Sequence, residues 1–328
     1  MAHRRRAKVL VIGADGVLGG LTADAFRDAG WTVRFVARRG GPERVRLELD
    51  SPESVAAALE EHELLVKTVP HPGLFLERAV LERGGALINT SALPAAAGRS
   101  LRAVAAGARG TVLMNAGVAP GVTNLVAADL LRTHSSAEEL EIVFMVSAAA
   151  LRGSGGAEFL HRSLVAVARH RTALIPLPDP FGARTCLGFA EAETGWLGGV
   201  AEGRVVRLYV CVTEPAAHER VLMLNRAGTM HRLSRSLVEP HPPVGTGASG
   251  QPVAHWIAVR RRGRRLAART VECRGGSLHT ARTTVVFAER LIEQPQPGGC
   301  FDPEEICTLA QIEGRLSAAG VKIVSQPV

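Results

Sequence analysis

Residues 9–39 read VLVIGADGVLGGLTADAFRDAGWTVRFVARR, and their order decides the fold. A short apolar run, Val9 to Ile12, meets three glycines, Gly13, Gly16 and Gly19. A helical pattern follows, with Leu18, Leu21, Ala25 and Ala29 on one face, and a second apolar run then ends in Arg38 and Arg39. Strand, tight turn, helix, strand is the unit that holds a pyrophosphate. Gly13 permits a sharp turn off the strand. Gly16 leaves no side chain where phosphates approach the backbone, and Gly19 lets the helix pack close to the strand. The first N–H groups of the helix have no partner of their own and its dipole is positive there, so this end accepts an anion. The spacing is GxxGxxG rather than GxGxxG; its place between a strand and an amphipathic helix gives it meaning.

The second strand selects the dinucleotide. A ribose diol calls for a carboxylate near the end of this strand, roughly 20 residues past the glycines. No acid occurs between Asp28 and Glu43; Arg38 and Arg39 stand there instead. One guanidinium suits a 2′-phosphate and the other lies well on an adenine face, which points to NADP(H).

Composition sets bounds. At 328 residues and 46% hydrophobic, the chain is long enough for two domains with a large core. The most apolar stretch, 111–131, contains Asn115, Pro120, Asn124 and Asp129, so no membrane span is expected. Met1–Arg6 is basic, but a strand and the glycine turn follow at once, unlike a signal peptide; a cytoplasmic protein is expected. The five cysteines are scattered and form no CxxC or Cys/His cluster, which argues against a zinc site or a disulfide framework. Net charge is +8. The densest basic cluster, Arg260–Arg262 with Arg264 and Arg265, lies between two strand-like runs and reads as a hairpin turn. Aromatic residues are only 4%, with no basic aromatic stripe to stack bases, so nucleic acid is set aside. The charge suits an anionic cofactor and an acidic small-molecule substrate.

The first 130 residues alternate strand and helix: strands at 46–49, 64–68, 86–88 and 111–114, with helices after Ser51-Pro52 and at 74–82 and 93–106. This predicts an α/β fold, a Rossmann-type doubly wound parallel sheet, over residues 1–135. Near residue 138 the period becomes two. Leu140, Ile142, Phe144 and Val146 alternate with residues that include Glu141 and Ser147, as in a half-buried antiparallel strand. Val206–Val212 and the arms of the Arg-rich hairpin behave likewise, and a helix over about 157–170 interrupts. Residues 136–278 are therefore expected to form a mixed α+β, mainly antiparallel domain for substrate and dimerisation. Helical spacing resumes at His279, and 279–328 is expected to return to the first domain.

The glycine loop, Thr68-Val69-Pro70, Ile88-Asn89-Thr90-Ser91 and, above all, the segment from Asn115 to Asn124 (NAGVAPGVTN) resemble saccharopine dehydrogenase-type NAD(P)-dependent oxidoreductases. The C-terminal GGCFDPEEICTLAQIEGRL is similar to that family's closing segment. The resemblance covers roughly 7–135 and 279–320. It implies a homodimer and hydride transfer on imines or related amino-acid conjugates. The chain departs from the family in carrying Asn89 where an Asp is usual and Lys67 where an Asn is common.

Strand ends supply the candidate catalytic groups. Lys67 lies in the buried run Leu64–Val69, so it must snorkel, pair with an acid or lose its charge; a depressed pKa would suit it to proton transfer. His71 follows Pro70, where a nicotinamide passes, and is placed to protonate the atom beside the carbon that receives hydride. Asn115 is expected to bind the nicotinamide carboxamide. The expected cofactor contacts are Gly13, Asp15, Gly16, Val17, Leu18, Gly19, Arg38, Arg39, Asp50, Val69, Pro70, Ser91 and Gly117. His161, Arg162 and Arg169 are candidates for a substrate carboxylate. No metal is expected.

The short-chain dehydrogenase mechanism needs Tyr and Lys four apart; the sole tyrosine is Tyr209 and residue 213 is Thr. No GxSxG, HExxH or Walker motif occurs. The sequence thus reads as an NADP(H)-dependent oxidoreductase acting on a C=N or C=O carbon, with a non-catalytic NADP(H)-binding sensor as the alternative.

Overall fold

In chain order the first elements are β1 (Lys8–Ile12), α1 (Val17–Asp28), β2 (Thr32–Val36), β3 (Arg44–Val45), α2 (Pro52–Glu61), β4 (Leu64–Lys67), α3 (Phe75–Arg83), β5 (Ala86–Asn89), α4 (Ala95–Val104) and β6 (Thr111–Leu113). Next come α5 (Val122–Thr133), β7 (Glu139–Val146), α6 (Ser154–Val165), β8 (Thr172–Pro176), β9 (Ala183–Gly188), β10 (Val205–Val212), α7 (Pro215–Ala227), β11 (Pro252–Arg261) and β12 (Arg264–Arg274). The last are α8 (Gly276–Glu293), β13 (Gly299–Phe301), α9 (Pro303–Ile306), α10 (Leu309–Ala318) and β14 (Lys322–Gln326). The computed structural model describes residues 7–36, 44–69, 73–91, 95–147, 154–188, 199–234, 252–274 and 276–327. They fall into two units, residues 1–117 with 280–307 and residues 118–279 with 308–328.

The first unit is a parallel sheet in the order β13-β6-β5-β4-β1-β2-β3. Parallel strands are covered on both faces, and β1 and β4 accordingly read as continuous apolar runs, with Val9 to Ile12 and Leu64 to Val66 all buried. Leu10, Ile12, Leu65, Leu87 and Val112 project to one face, where they pack with Val55 and Ala58 of α2 and Leu76, Val80 and Leu81 of α3. Ser51 caps α2 by accepting from the Ser54 N–H at 3.2 Å, with Pro52 at the first helical position. The strand order reverses at β1, the kind of point at which open parallel sheets take ligands beyond their strand ends. The third strand lies earlier than expected, at Arg44–Val45 rather than 46–49. After Val45 the backbone turns to the next helix: the Glu48 N–H donates to Ser54 Oγ instead of extending the ladder.

The second unit is a mixed sheet in the order β14-β12-β11-β7-β10-β9-β8, antiparallel except for the β7–β10 pair. The hairpin β11–β12 turns through Arg262 and Gly263, both with positive φ (49° and 75°), a two-residue turn that matches strand twist. Strand β7 departs from expectation. It is central, buried from Leu140 to Met145, and parallel to β10. Its solvent-facing signal was Glu141, which is buried and paired with Arg260 at 3.0 Å. The α6 helix stops at Val165, not 170, because the His170 ring bonds the Leu164 and Gly188 carbonyls and its N–H bonds Asn225. The return to the first unit ends at Cys307. Residues 308–328 belong to the second, where β14 adds to β12; α5 also packs there, against β11 and β12. All five cysteines are buried free thiols. Among the described residues no helix is long and apolar enough to cross a membrane.

Candidate active site at the C-terminal strand ends of the first unit

The glycine loop has the geometry its sequence demands. Gly13 leaves β1 with φ +95°, and a Cβ there would meet Val69 Cγ1 at 2.4 Å and Thr68 Oγ1 at 2.7 Å. Thr68 fixes this approach by donating both its N–H and its hydroxyl to the Ile12 carbonyl, at 3.0 and 2.9 Å. A Cβ on Gly19 would lie 2.0 Å from the Gly13 carbonyl oxygen, so only glycine lets α1 start so close to β1. Gly16 is the N-cap, has no side chain to cap with, and no acid occupies the first turn. The N–H groups of Val17, Leu18 and Gly19 are thus available to an anion from outside. Asp15 and Val17 are exposed at this mouth, and Asp50 is exposed just before α2. At the end of β5, Ser91 is buried and its Oγ has no partner among the described residues. A loop that a Cβ on Gly13 or Gly19 would fill, leading into an uncapped helix start, fits the diphosphate of a dinucleotide. Arg38, Arg39, Pro70 and His71 lie outside the described residues.

Of its three possible fates, Lys67 takes pairing. It is 1% exposed, and its Nζ donates to Glu77 Oε1 of α3 at 2.7 Å. The same oxygen accepts from Asn89 Nδ2 at 2.7 Å. Asn89 sits opposite Lys67 in the β4–β5 register, and both follow the parity of Leu65 and Leu87, so both point to the face that α3 covers. Asn89 Oδ1 accepts the Ser91 N–H at 2.8 Å, which shapes the turn leaving β5. Lys67 therefore holds strand to helix by a buried ion pair, in place of the unpaired amine that proton transfer would use. Glu77 is a group sequence reasoning missed. Its signal was present: it shares the inner face of α3 with Leu76, Val80 and Leu81, an odd place for an unpaired acid.

Asn115 is 7% exposed and adopts φ +54°, a left-handed conformation that Asn tolerates better than most residues. Its Nδ2 donates to Asp302 Oδ1 at 2.8 Å. Asp302 Oδ2 accepts from Arg102 at 2.6 Å, and Arg102 also donates to Glu305 at 2.7 and 3.2 Å and to the Cys300 carbonyl at 3.2 Å. Burial raises the Asp302 carboxyl above its ordinary range, against the pull of the Arg102 charge and the Asn115 donor. For Arg102, burial opposes the charge, but hydrogen bonding to Glu305 and attraction by both acids hold the guanidinium above its ordinary value. Burial pushes the Cys300 thiol up to about 12, so it stays protonated. Sequence reasoning also missed Asp302 and Arg102, because Asp302-Pro303 carries the plain signal of a helix start. Gly117 N–H folds back to the Asn115 carbonyl at 3.0 Å, closing the turn.

The groups expected to hold a substrate carboxylate belong to the second unit. His161 Nε2 bonds the Leu233 carbonyl at 2.9 Å, and Arg169, beyond the end of α6, donates to the Arg226 carbonyl at 2.5 Å. Arg162 is exposed on α6.

The fold defines a class, a chain with a Rossmann-type parallel-sheet unit and a mixed α+β unit. No family model matches the sequence, and no curated protein gives a match. Solved structures do. Apo saccharopine dehydrogenase (L-Glu forming) from Saccharomyces cerevisiae matches 98% of this chain over 100% of its own, with a TM-score of 0.63 at 10% identity. DAP dehydrogenase from C. glutamicum, in complex with DAP, matches 94% over 99%, with a TM-score of 0.50 at 11% identity. At such identities the likeness is one of fold.

Proposed function

We propose that this chain is an NADP(H)-dependent oxidoreductase acting on a C=N or C=O carbon of an amino-acid-like or carboxylate substrate. The observation that carries the reading is the Gly13–Gly19 loop, where a Cβ on Gly19 would collide with backbone and the start of α1 is left uncapped. The fold shared with two amino-acid dehydrogenases supports the substrate class. When bound, the dihydronicotinamide supplies hydride to an electrophilic carbon. The chain's own residues bind and orient. The first turn of α1 neutralises the diphosphate, Arg38 and Arg39 pair with the 2′-phosphate and adenine, and Asn115 holds the carboxamide. His71 delivers the proton that accompanies hydride addition.

The Arg38→Asp variant tests the phosphate assignment. It is expected to weaken NADPH binding at least about tenfold while NADH binding changes little, because the lost contact is specific to the 2′-phosphate. Equal weakening of both coenzymes would refute the choice of NADP(H). A second reading, a non-catalytic NADP(H) sensor, is favoured by the engagement of Lys67 with Glu77, which removes one proton donor. Stoichiometric binding without coenzyme oxidation across a panel of imines and 2-oxo acids would select it.

A further inference from the structure

Asn115 offers a ligand two chemically opposite ends, an NH2 and a carbonyl oxygen of nearly equal shape. What decides which end faces outward is its neighbour. An ionised carboxylate only accepts hydrogen bonds, so it captures the NH2 and leaves the oxygen. Asp302 Oδ1 takes Asn115 Nδ2 in this way, and no donor among the described residues reaches Asn115 Oδ1. Asp302 is itself held still. Its Oδ2 is bound by Arg102 and its backbone N–H donates to Glu305 Oε2 at 2.7 Å. Glu305 in turn receives both terminal nitrogens of Arg102. The network joins α4 and the end of β6 to the start of α9, which lies far from them in sequence but in the same first unit. Asn115 and Asp302 are each only 7% exposed, so the arrangement is built into the interior rather than assembled by chance at the surface.

We propose that Asp302, clamped by Arg102 and Glu305, is a positioning residue that turns the Asn115 amide so that its Oδ1 accepts the carboxamide N–H of a bound nicotinamide. This rests on the dinucleotide reading above and adds what sets the polarity of the ring-binding group. Asp302 acts through Asn115 and touches no coenzyme itself.

The experiment is calorimetric titration with two ligands, NADPH and 2′-phospho-ADP-ribose, which lacks the nicotinamide ring. Wild type, Asp302→Asn, Asn115→Ala and the double variant are compared. Each single variant is expected to weaken NADPH about tenfold and to change the ringless ligand less than about twofold, and the double variant is expected to be no worse than Asn115→Ala. Asn115→Ala leaves the Asp302–Arg102 pair intact, so it keeps the test open if Asp302→Asn does not fold. Equal loss of both ligands in the variants would make the network mere scaffolding and overturn the proposal; so would unchanged NADPH affinity, or additive losses in the double variant. Wild type binding NADPH no tighter than the ringless ligand would overturn this proposal alone. Wild type binding neither would overturn the dinucleotide reading and this one with it.

Discussion

Gly19→Ala is expected to lower affinity for the nicotinamide dinucleotide at least about 100-fold, close to 3 kcal/mol. The added Cβ would stand 2.0 Å from the Gly13 carbonyl oxygen, 2.4 Å from its carbon and 2.8 Å from Ala14 Cα. All three are backbone atoms, so no side-chain rotation relieves the clash. Either the loop opens or α1 shifts, and both move the N–H groups that face the diphosphate. Gly20→Ala is the matched control. Its Cβ would meet nothing closer than the Ala14 carbonyl at 3.5 Å, an ordinary contact. Inside a helix that change favours folding by up to about 1 kcal/mol. Gly20→Ala should therefore bind as wild type and melt no lower, whereas Gly19→Ala loses binding. Unaltered affinity in Gly19→Ala would show that this loop does not grip the ligand.

The second large effect is on stability. Lys67→Met is expected to destabilise the chain by about 3–5 kcal/mol, because it leaves the Glu77 carboxylate buried without its cation. Lys67→Met with Glu77→Gln is expected to recover most of that loss. The pair's charges vanish together, and the amide oxygen introduced on α3 can still accept from Asn89. Urea unfolding of the three proteins measures both. A single variant as stable as wild type would mean that the ion pair does not matter to the fold. A double variant that is stable yet loses turnover while keeping coenzyme affinity would return Lys67 to proton transfer.

Much of this was legible in the residues because the signals are local. The β1–α1–β2 unit follows from an apolar run and spaced glycines, all within about 30 residues, although α1 buries Gly19, Thr22, Ala23 and Phe26 rather than the stripe of Leu18, Leu21, Ala25 and Ala29. The Arg262-Gly263 turn and the Ser51 cap are equally short-range. What the sequence hid depends on pairing across the chain. Glu77 lies ten residues from Lys67 and Asp302 lies 187 from Asn115, and no periodicity links such partners. Period-two alternation in β7 gives side-chain parity but not the direction of its neighbour, so its parallel pairing with β10 was invisible. Glu141 misled for a similar reason: it looked like a solvent face until Arg260 arrived from the hairpin to cover it. The destination of residues 308–328 was likewise hidden, since β14 alternates weakly and lies half exposed at a sheet edge.

On this reading the glycine loop and the uncapped end of α1 hold the diphosphate of a nicotinamide dinucleotide. Calorimetric titration of the wild-type chain with NADPH measures this directly. One saturable site per chain, with binding tighter than for NADH, is the expected result. A flat titration with both coenzymes would contradict it.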